Sequence, residues 1–322
     1  MKPICRILQF SFLLCAMVTA HADVLDSVRG DLEHGRANQA LDTLSQVLAQ
    51  QPQNAEAYNL QCRIYMQEER WDNAVDACKA AVRLVPGSSN YHLWLGRALG
   101  EKADRVSFIT AFKLARQVRQ EFGTAARLDP HNADTLSDLG EFYVDAPAIV
   151  GGGFDKAGVV AQQLDGFAPD RAHYIRARIA EGQKDYATAE QEYKAAISGA
   201  KYPGDAWMDL ASFYRRRQRW DDMVQAVRSG SATDTKHGVA LADGASVLIR
   251  AQRDLPLARQ LMEQYLASPN KSEEAPAFRV HVQLGKLLAA LGNKQGAQQQ
   301  IAAAQELARD YQPATQATNS GR

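Results

Sequence analysis

The sequence predicts an all-α fold, a solenoid of about eight helix-turn-helix units, on three observations. Small residues Val28, Cys62, Gly96, Gly140, Ala177, Ala211, Ser246 and Gly285 recur at intervals of 34, 34, 44, 37, 34, 35 and 39 residues. A second series, Ala40, Ala74, Val118, Ala157, Ala189, Met223, Ala258 and Ala297, trails the first by 12 residues in the undistorted units. That separation suits two antiparallel helices around a tight turn, with small side chains where the axes come closest. Pro52, Pro86, Pro130 and Pro169 follow second helices and keep each from running into the next. A hairpin of this size cannot bury its apolar face alone, so the units should stack into an elongated body with a curved trough.

The first residues stand apart from this pattern. Lys2 and Arg6 precede the apolar run Ile7 to Ala20, and Ala20-His21-Ala22 supplies small residues that a signal peptidase accepts. Residues 1–22 therefore read as a leader cleaved after Ala22, sending the mature chain to the periplasm or out of the cell. A retained anchor is the rival reading, but the run is interrupted by Gln9 and Ser11 and is short for roughly 30 Å of hydrocarbon. Lipid attachment at Cys15 is a further alternative, disfavoured by Leu14 where a small residue is usual. On this division residues 23–311 form the solenoid and the polar stretch 312–322 frays.

Removal of Lys2 and Arg6 changes 37 basic and 37 acidic side chains to 35 and 37, a formal charge of −2. Without a global basic field, nucleic acid is a poor candidate partner. Beyond the leader no apolar stretch approaches transmembrane length, so no stable membrane insertion is expected after cleavage. Cys5 and Cys15 leave with the leader, and Cys62 and Cys78 remain on the two helices of one hairpin. An exported chain favours a disulfide between them; two buried thiols acting as small hydrophobes is the other reading.

Larger apolar residues flank the small ones at helical spacing, as in Trp207, Leu210, Tyr214 and Leu136, Leu139, Tyr143. With these in place the units resemble the tetratricopeptide repeat, whose loose signature is an aromatic, Leu-Gly, Tyr, Ala, an aromatic, Ala and a closing Pro. Residues 55–88 show Tyr58, Cys62, Tyr65, Ala74, Ala81 and Pro86; residues 133–169 show Leu139, Gly140, Tyr143, Ala157 and Pro169. Residues 204–237 show Trp207, Leu210, Ala211 and Tyr214, and the last unit shows Leu284, Gly285, Leu288, Gly292, Ala297 and Ala304. The resemblance runs over about residues 24–311. It implies a right-handed superhelix and a non-enzymatic scaffold that holds a protein or peptide partner in its concave groove.

Two units depart from the pattern. The unit from Ser89 to Pro130 carries ten extra residues, and Lys102 to Leu128 reads as helical with Phe108, Phe112, Ala115, Val118, Phe122 and Ala125 on one stripe. This predicts a lengthened or additional helix. The unit from Ala133 has five extra residues in its turn, 145–155, with Asp155 as the expected N-cap of the next helix. The link from Ser268 to Pro276 is also long.

Gly151, Gly152 and Gly153 in that turn form a possible ligand loop, because free amides before a helix can hold an anion. The turn lacks the Gly-Lys-Ser/Thr ending of a phosphate loop and has no preceding strand, and the plainer reading is close packing. A loop of this kind looks like turns in exported tetratricopeptide proteins that accompany TRAP-type solute transporters, which gives a small-solute accessory as the alternative function.

The residue after each small position of the first helices is Arg29, Arg63, Arg97, Glu141, Arg178, Ser212, Val247 and Lys286. In the family this position resembles one that lines the groove. Arg63, Arg97 and Arg178, together with Arg215, Arg216 and Tyr174, are thus the expected partner contacts around Glu141, since arginine suits carboxylate recognition. The competing reading is a solvated face balanced by Glu101, Glu141 and Glu181. Trp71 and Trp220 fall in equivalent turns and are expected to pack them, each followed by an Asp that could cap the second helix.

No catalytic residue is selected. Beyond the leader, the histidines His34, His92, His131, His173, His237 and His281 are scattered singly without metal-ligand spacing, and there is no Gly-x-Ser-x-Gly elbow. No cofactor is expected.

Overall fold

The computed structural model describes residues 24–234 and 238–320, and its regular elements are all helical. The expected leader with Lys2, Cys5, Arg6 and Cys15, and also His237, lie outside the described residues. Helix α1 runs through residues 24–33. It is followed by α2 (Ala37–Gln50), α3 (Ala55–Gln67), α4 (Trp71–Leu84), α5 (Ser89–Ala103), α6 (Phe108–Leu128) and α7 (Ala133–Asp145). After a short 3-10 turn (Ala148–Val150) come α8 (Phe154–Leu164), α9 (Pro169–Gly182), α10 (Tyr186–Gly199), α11 (Pro203–Arg216) and α12 (Trp220–Thr233). The chain ends with α13 (Val239–Ala251), α14 (Leu255–Ala267), α15 (Ala277–Ala290), α16 (Lys294–Leu307) and α17 (Gln312–Ser320).

The helices begin where side chains can satisfy their first amides. Asn54, Ser88, Asn132, Asp185, Asp254 and Asn293 each accept a hydrogen bond from the amide three residues on. Pro169 and Pro203 occupy first-turn positions of α9 and α11, where a missing N–H costs nothing. Gly153 precedes α8 and Asp155 sits in its first turn, so the expected cap is displaced by two residues. Asp72 and Asp221 likewise lie inside the first turns of α4 and α12, while Trp71 and Trp220 pack beneath Arg105 and Arg253 at 4.2 and 4.9 Å.

Consecutive helices pack as antiparallel pairs, and each pair leans on the next. The small positions are the points of closest approach. Val28, Cys62, Ala177 and Ala211 are fully buried, as are Ala40, Ala74, Ala157, Ala189, Met223 and Ala258. A methyl group at Gly96 would come within 2.4 Å of the Phe122 ring, and one at Gly140 within 2.8 Å of Ile175. One register shifts: in α13 the buried position is Ala245, and Ser246 turns out toward Gln283 at 3.2 Å. This restores a spacing of 34 from Ala211.

The enlarged unit resolves into one lengthened helix. Helix α6 has 21 residues, against 11 to 14 in the other second helices. Its added length lies between the two small positions, Gly96 and Val118, so the α5–α6 hairpin is longer at its tip.

An elongated body with free ends is not what the chain forms. Leu25, Val28 and Leu32 of α1 and Leu44 of α2 share a buried core with Phe278 of α15 and with Ile301, Ala304 and Tyr311 near the C-terminal end. Asn38 bonds the Glu306 carbonyl at 2.8 Å, Arg309 holds Asp42 through two contacts of 2.9 and 2.8 Å, and Arg70 reaches Asp310 at 3.0 Å. The solenoid therefore closes on itself. The reason is visible in the terminal units, which keep apolar outer faces where an open solenoid would need polar caps. The polar end expected to fray is instead helical in α17, with Ala314 buried in the closing core.

Candidate functional site: the concave wall

Closure brings α3, α5, α6, α7, the 268–276 link and α15 around one cavity of about 580 Å³. Arg63, Arg97 and Glu141 line it, together with Trp71, Trp94 and Phe142. The ring of Trp94 lies between two guanidinium groups, Arg63 at 4.8 Å and Arg97 at 4.7 Å. Stacking of this kind holds the long side chains flat against the wall.

The arginines expected to await a partner are mostly paired within the chain. Arg63 forms a two-point contact with Glu273, through Nε at 2.8 Å and through its terminal nitrogen. Arg97 binds Asp138 at 2.5 Å, and Arg178 reaches Asp145 at 2.7 Å and Glu141 at 3.8 Å. Arg29 contacts Glu56 at 2.9 Å. Arg216 grips both oxygens of Glu181 at 2.6 and 2.8 Å. Of the balancing acids expected, Glu181 pairs with Arg216 and Glu141 lies near Arg178, whereas Glu101 pairs with Arg105, and Glu273, Asp138 and Asp145 supply the other partners. Arg215 differs: its Nε is buried without a hydrogen-bond partner among the described residues, and burial beside Arg250 and Arg216 pulls its pKa down.

What the sequence reading missed is the acid. Asp134, Asp138, Glu141 and Asp145 recur along one face of α7, and Asp205 and Asp209 of α11 and Asp243 of α13 continue the wall toward Glu274. Lost hydration, partly offset by Arg178 and reinforced by Asp138 and Asp145, raises the Glu141 pKa to about 7. Asp209 rises to about 7 for the same first reason, with repulsion from Glu141, Asp243 and Asp205 outweighing Arg171. Asp243, exposed at its edge, is raised to about 7 by the crowding of the concave wall behind it and by the charges of Asp205 and Glu274. A signal for this was present. Asp138, Asp209 and Asp243 each stand two residues before the small position of their helix, once Ala245 is recognised as that position.

Tyr174 lies in the same wall, where it accepts a 3.0 Å hydrogen bond from Arg178 and feels the charges of Glu141 and Asp209. Its pKa is driven well up by burial and by those carboxylates. Three of the histidines pair with side chains elsewhere: His92 with Glu121 at 2.5 Å, His173 with Glu192 at 2.7 Å, and His281 with Gln300 at 2.6 Å. Among the described residues, no group of three His, Cys, Asp or Glu side chains is placed to hold a metal ion.

Cys62 and Cys78 are joined by a disulfide, with Cα atoms 5.2 Å apart, inside the core of the α3–α4 hairpin. The glycine loop is packed and its amides are spent. The amides of Gly151, Gly152 and Gly153 donate to the carbonyls of Ala148, Pro147 and Tyr143 at 2.9, 3.2 and 2.8 Å. Gly151 has a φ of 104°, which favours glycine, and it abuts Arg119; a Cβ at Gly152 would lie 1.7 Å from the Ala146 carbonyl oxygen. An anion cradle is excluded here by geometry. The nearby groove of about 800 Å³ is walled by α6, α7 and α8 and is lined by none of the three glycines.

The sequence model described as "Tetratricopeptide repeat" matches residues 25–89 and 159–206. No curated protein matches the chain. Among solved structures, yeast Tom70 is similar in fold over 88% of this chain and 58% of its own, with a TM-score of 0.53 and 15% identity. A tetratricopeptide protein from Thermus thermophilus aligns with 58% of this chain and 98% of its own, at a TM-score of 0.48 and 20% identity. Another from Parabacteroides merdae aligns with 84% and 99%, at 0.48 and 12%. Residues 25–89 and 159–206 thus match the tetratricopeptide repeat, within a solenoid of similar helical hairpins.

Proposed function

We propose that the chain is an exported, non-enzymatic scaffold that holds a protein partner against its concave wall, and that the segment it holds is cationic. The repeat architecture supports a scaffold, and the leader pattern with the Cys62–Cys78 disulfide supports export. The observation that carries the polarity of the partner is the run of under-neutralised carboxylates from Glu141 through Asp209 to Asp243, beside the aromatic walls of Trp71, Trp94 and Phe142. A Lys- or Arg-bearing segment would relieve their repulsion and lay its stems on the rings. Arg63, Arg97, Arg178 and Arg216 then serve to shape the wall, with Tyr174 between them.

Crosslinking mass spectrometry on the protein in its own cells tests this directly. Crosslinks from the wall to a Lys/Arg-rich segment are expected, and they should weaken in Asp209→Asn plus Asp243→Asn. Capture of an acidic segment, or capture unaffected by that pair, would overturn the cationic reading.

A further inference from the structure

Beyond Asp104 and Arg105, the lengthened tip of the α5–α6 hairpin, residues 106–117, does not line the cavity. Phe108 and Ile109 open α6 and are 84% and 71% exposed, the largest exposures among the apolar side chains of their size apart from Ile149 at 77%. Residues 105–120 hold Arg105, Lys113, Arg116 and Arg119 and no Asp or Glu. At 100° per residue, Phe108, Ile109, Phe112, Lys113, Arg116 and Arg119 fall within an arc of about 140° on α6. The buried side chains of this helix, Val118, Phe122 and Ala125, occupy the adjoining arc, which begins about 40° beyond Phe108.

The cations of this face are uncommitted. Arg116 leans on Phe112 at 5.9 Å, Arg119 lies over Gly151, and neither they nor Lys113 form an ion pair among the described residues. The 3-10 turn packs on α6, with Gly151 against Arg119, and Ile149 of that turn is exposed. Both departures from the repeat length therefore meet on α6.

We infer that this edge docks on an anionic lipid surface, with Phe108, Ile109 and Ile149 entering the headgroup boundary while Lys113, Arg116 and Arg119 meet the phosphates. Charge complementarity favours this occupant, because three cations without an ion pair among the described residues share a face of α6 with exposed apolar side chains, and residues 105–120 contain no carboxylate. Area favours it as well. Three side chains of this size cover roughly 400–500 Å², about half of what one side of a stable protein interface needs, whereas insertion into lipid requires only a few. The contact would hold the scaffold at a membrane and leave the acidic wall free.

The test is co-sedimentation of the chain, in the processed form isolated from its own cells, with vesicles of phosphatidylcholine alone or with 30% phosphatidylglycerol. Binding to the anionic vesicles is expected, weakening in high salt. The Lys113→Gln, Arg116→Gln, Arg119→Gln variant should lose on the order of 100-fold in partitioning. Phe108→Ser with Ile109→Ser should lose at least about 10-fold. A control carrying Lys184→Gln, Lys201→Gln and Lys286→Gln should bind as the parent does, and all variants should melt at the parental temperature. No binding by the parent, equal loss in the control, or dissolution of a homo-oligomer by the Phe108/Ile109 variant would overturn the inference.

Discussion

Arg63 and Glu273 are 210 positions apart in the chain and meet in a two-point ion pair at the seam of the closed solenoid. Both side chains are about four-fifths buried, at 19% and 18% exposure. Neighbouring contacts reinforce the seam: the Gln67 side-chain amide donates to the Glu273 carbonyl at 2.9 Å, and Arg279 donates to the Gln67 and Met66 carbonyls, each at 2.7 Å. A groove that a repeat protein usually leaves open at both ends is drawn into a curved wall, and burial together with the like charges along it raises the pKa of Glu141, Asp209 and Asp243.

The disulfide is expected to stabilise the first hairpins strongly. Cys62 and Cys78 are separated by 16 positions, and closing a loop of that size is worth about 3 kcal/mol in the chain-entropy account. Cys62→Ala with Cys78→Ala, or reduction of the parent, should lower the urea midpoint accordingly. An unchanged midpoint under reduction would show that the bridge does not form.

Gly152→Ala should destabilise the enlarged turn. Its Cβ would meet a backbone carbonyl at 1.7 Å, a clash that no side-chain movement relieves. A loss of roughly 2 kcal/mol or more is expected in denaturant unfolding. Gly158→Ala, where nothing lies within 4 Å of the added methyl, serves as the control and should be neutral or slightly stabilising.

Stability should fall as pH rises from about 4 to about 7. The folded pKa values of Glu141, Asp209 and Asp243 are raised to about 7, so the folded state binds more protons than the unfolded chain across that window. Their contribution is complete below the ordinary carboxylate range and is lost by the time pH passes about 7. Glu190 acts in the opposite sense. Arg219, Lys194 and Tyr214 outweigh its partial burial and hold it at about 2, so its contribution is present above about 4.5 and disappears as pH drops toward 2. Thermal melts from pH 4.5 to 8 should show the decline, and Asp209→Asn with Asp243→Asn should flatten it. A parental curve that rises through this range would contradict the crowded-wall electrostatics.

The repeat pattern was legible because close packing admits only small side chains where paired helices cross, and Cys62, Gly96, Gly140 and Ala211 mark those crossings without ambiguity. The lengthened helix was legible too, since Phe122 and Ala125 continue the buried stripe of α6. Closure was not. It depends on α1 meeting α15 and α16, a relationship that no local spacing encodes, although the long link before Pro276 gives the chain room for it. The site was half visible. Reading Arg63, Arg97 and Arg178 alone suggested a basic trough, because the carboxylates that neutralise them come from Glu273, Asp138 and Asp145, on other elements or other turns. The acidic excess was obscured by taking Ser246 rather than Ala245 as the small position, which hid the alignment of Asp243 with Asp209.

A double-mutant cycle on Arg63→Ala and Glu273→Ala, read by urea unfolding, tests the closed architecture most directly. Closure predicts a coupling of about 1–3 kcal/mol between residues so distant in sequence, with each single variant destabilised. Strictly additive effects, with no coupling between the two positions, would mean that the ends do not meet in solution.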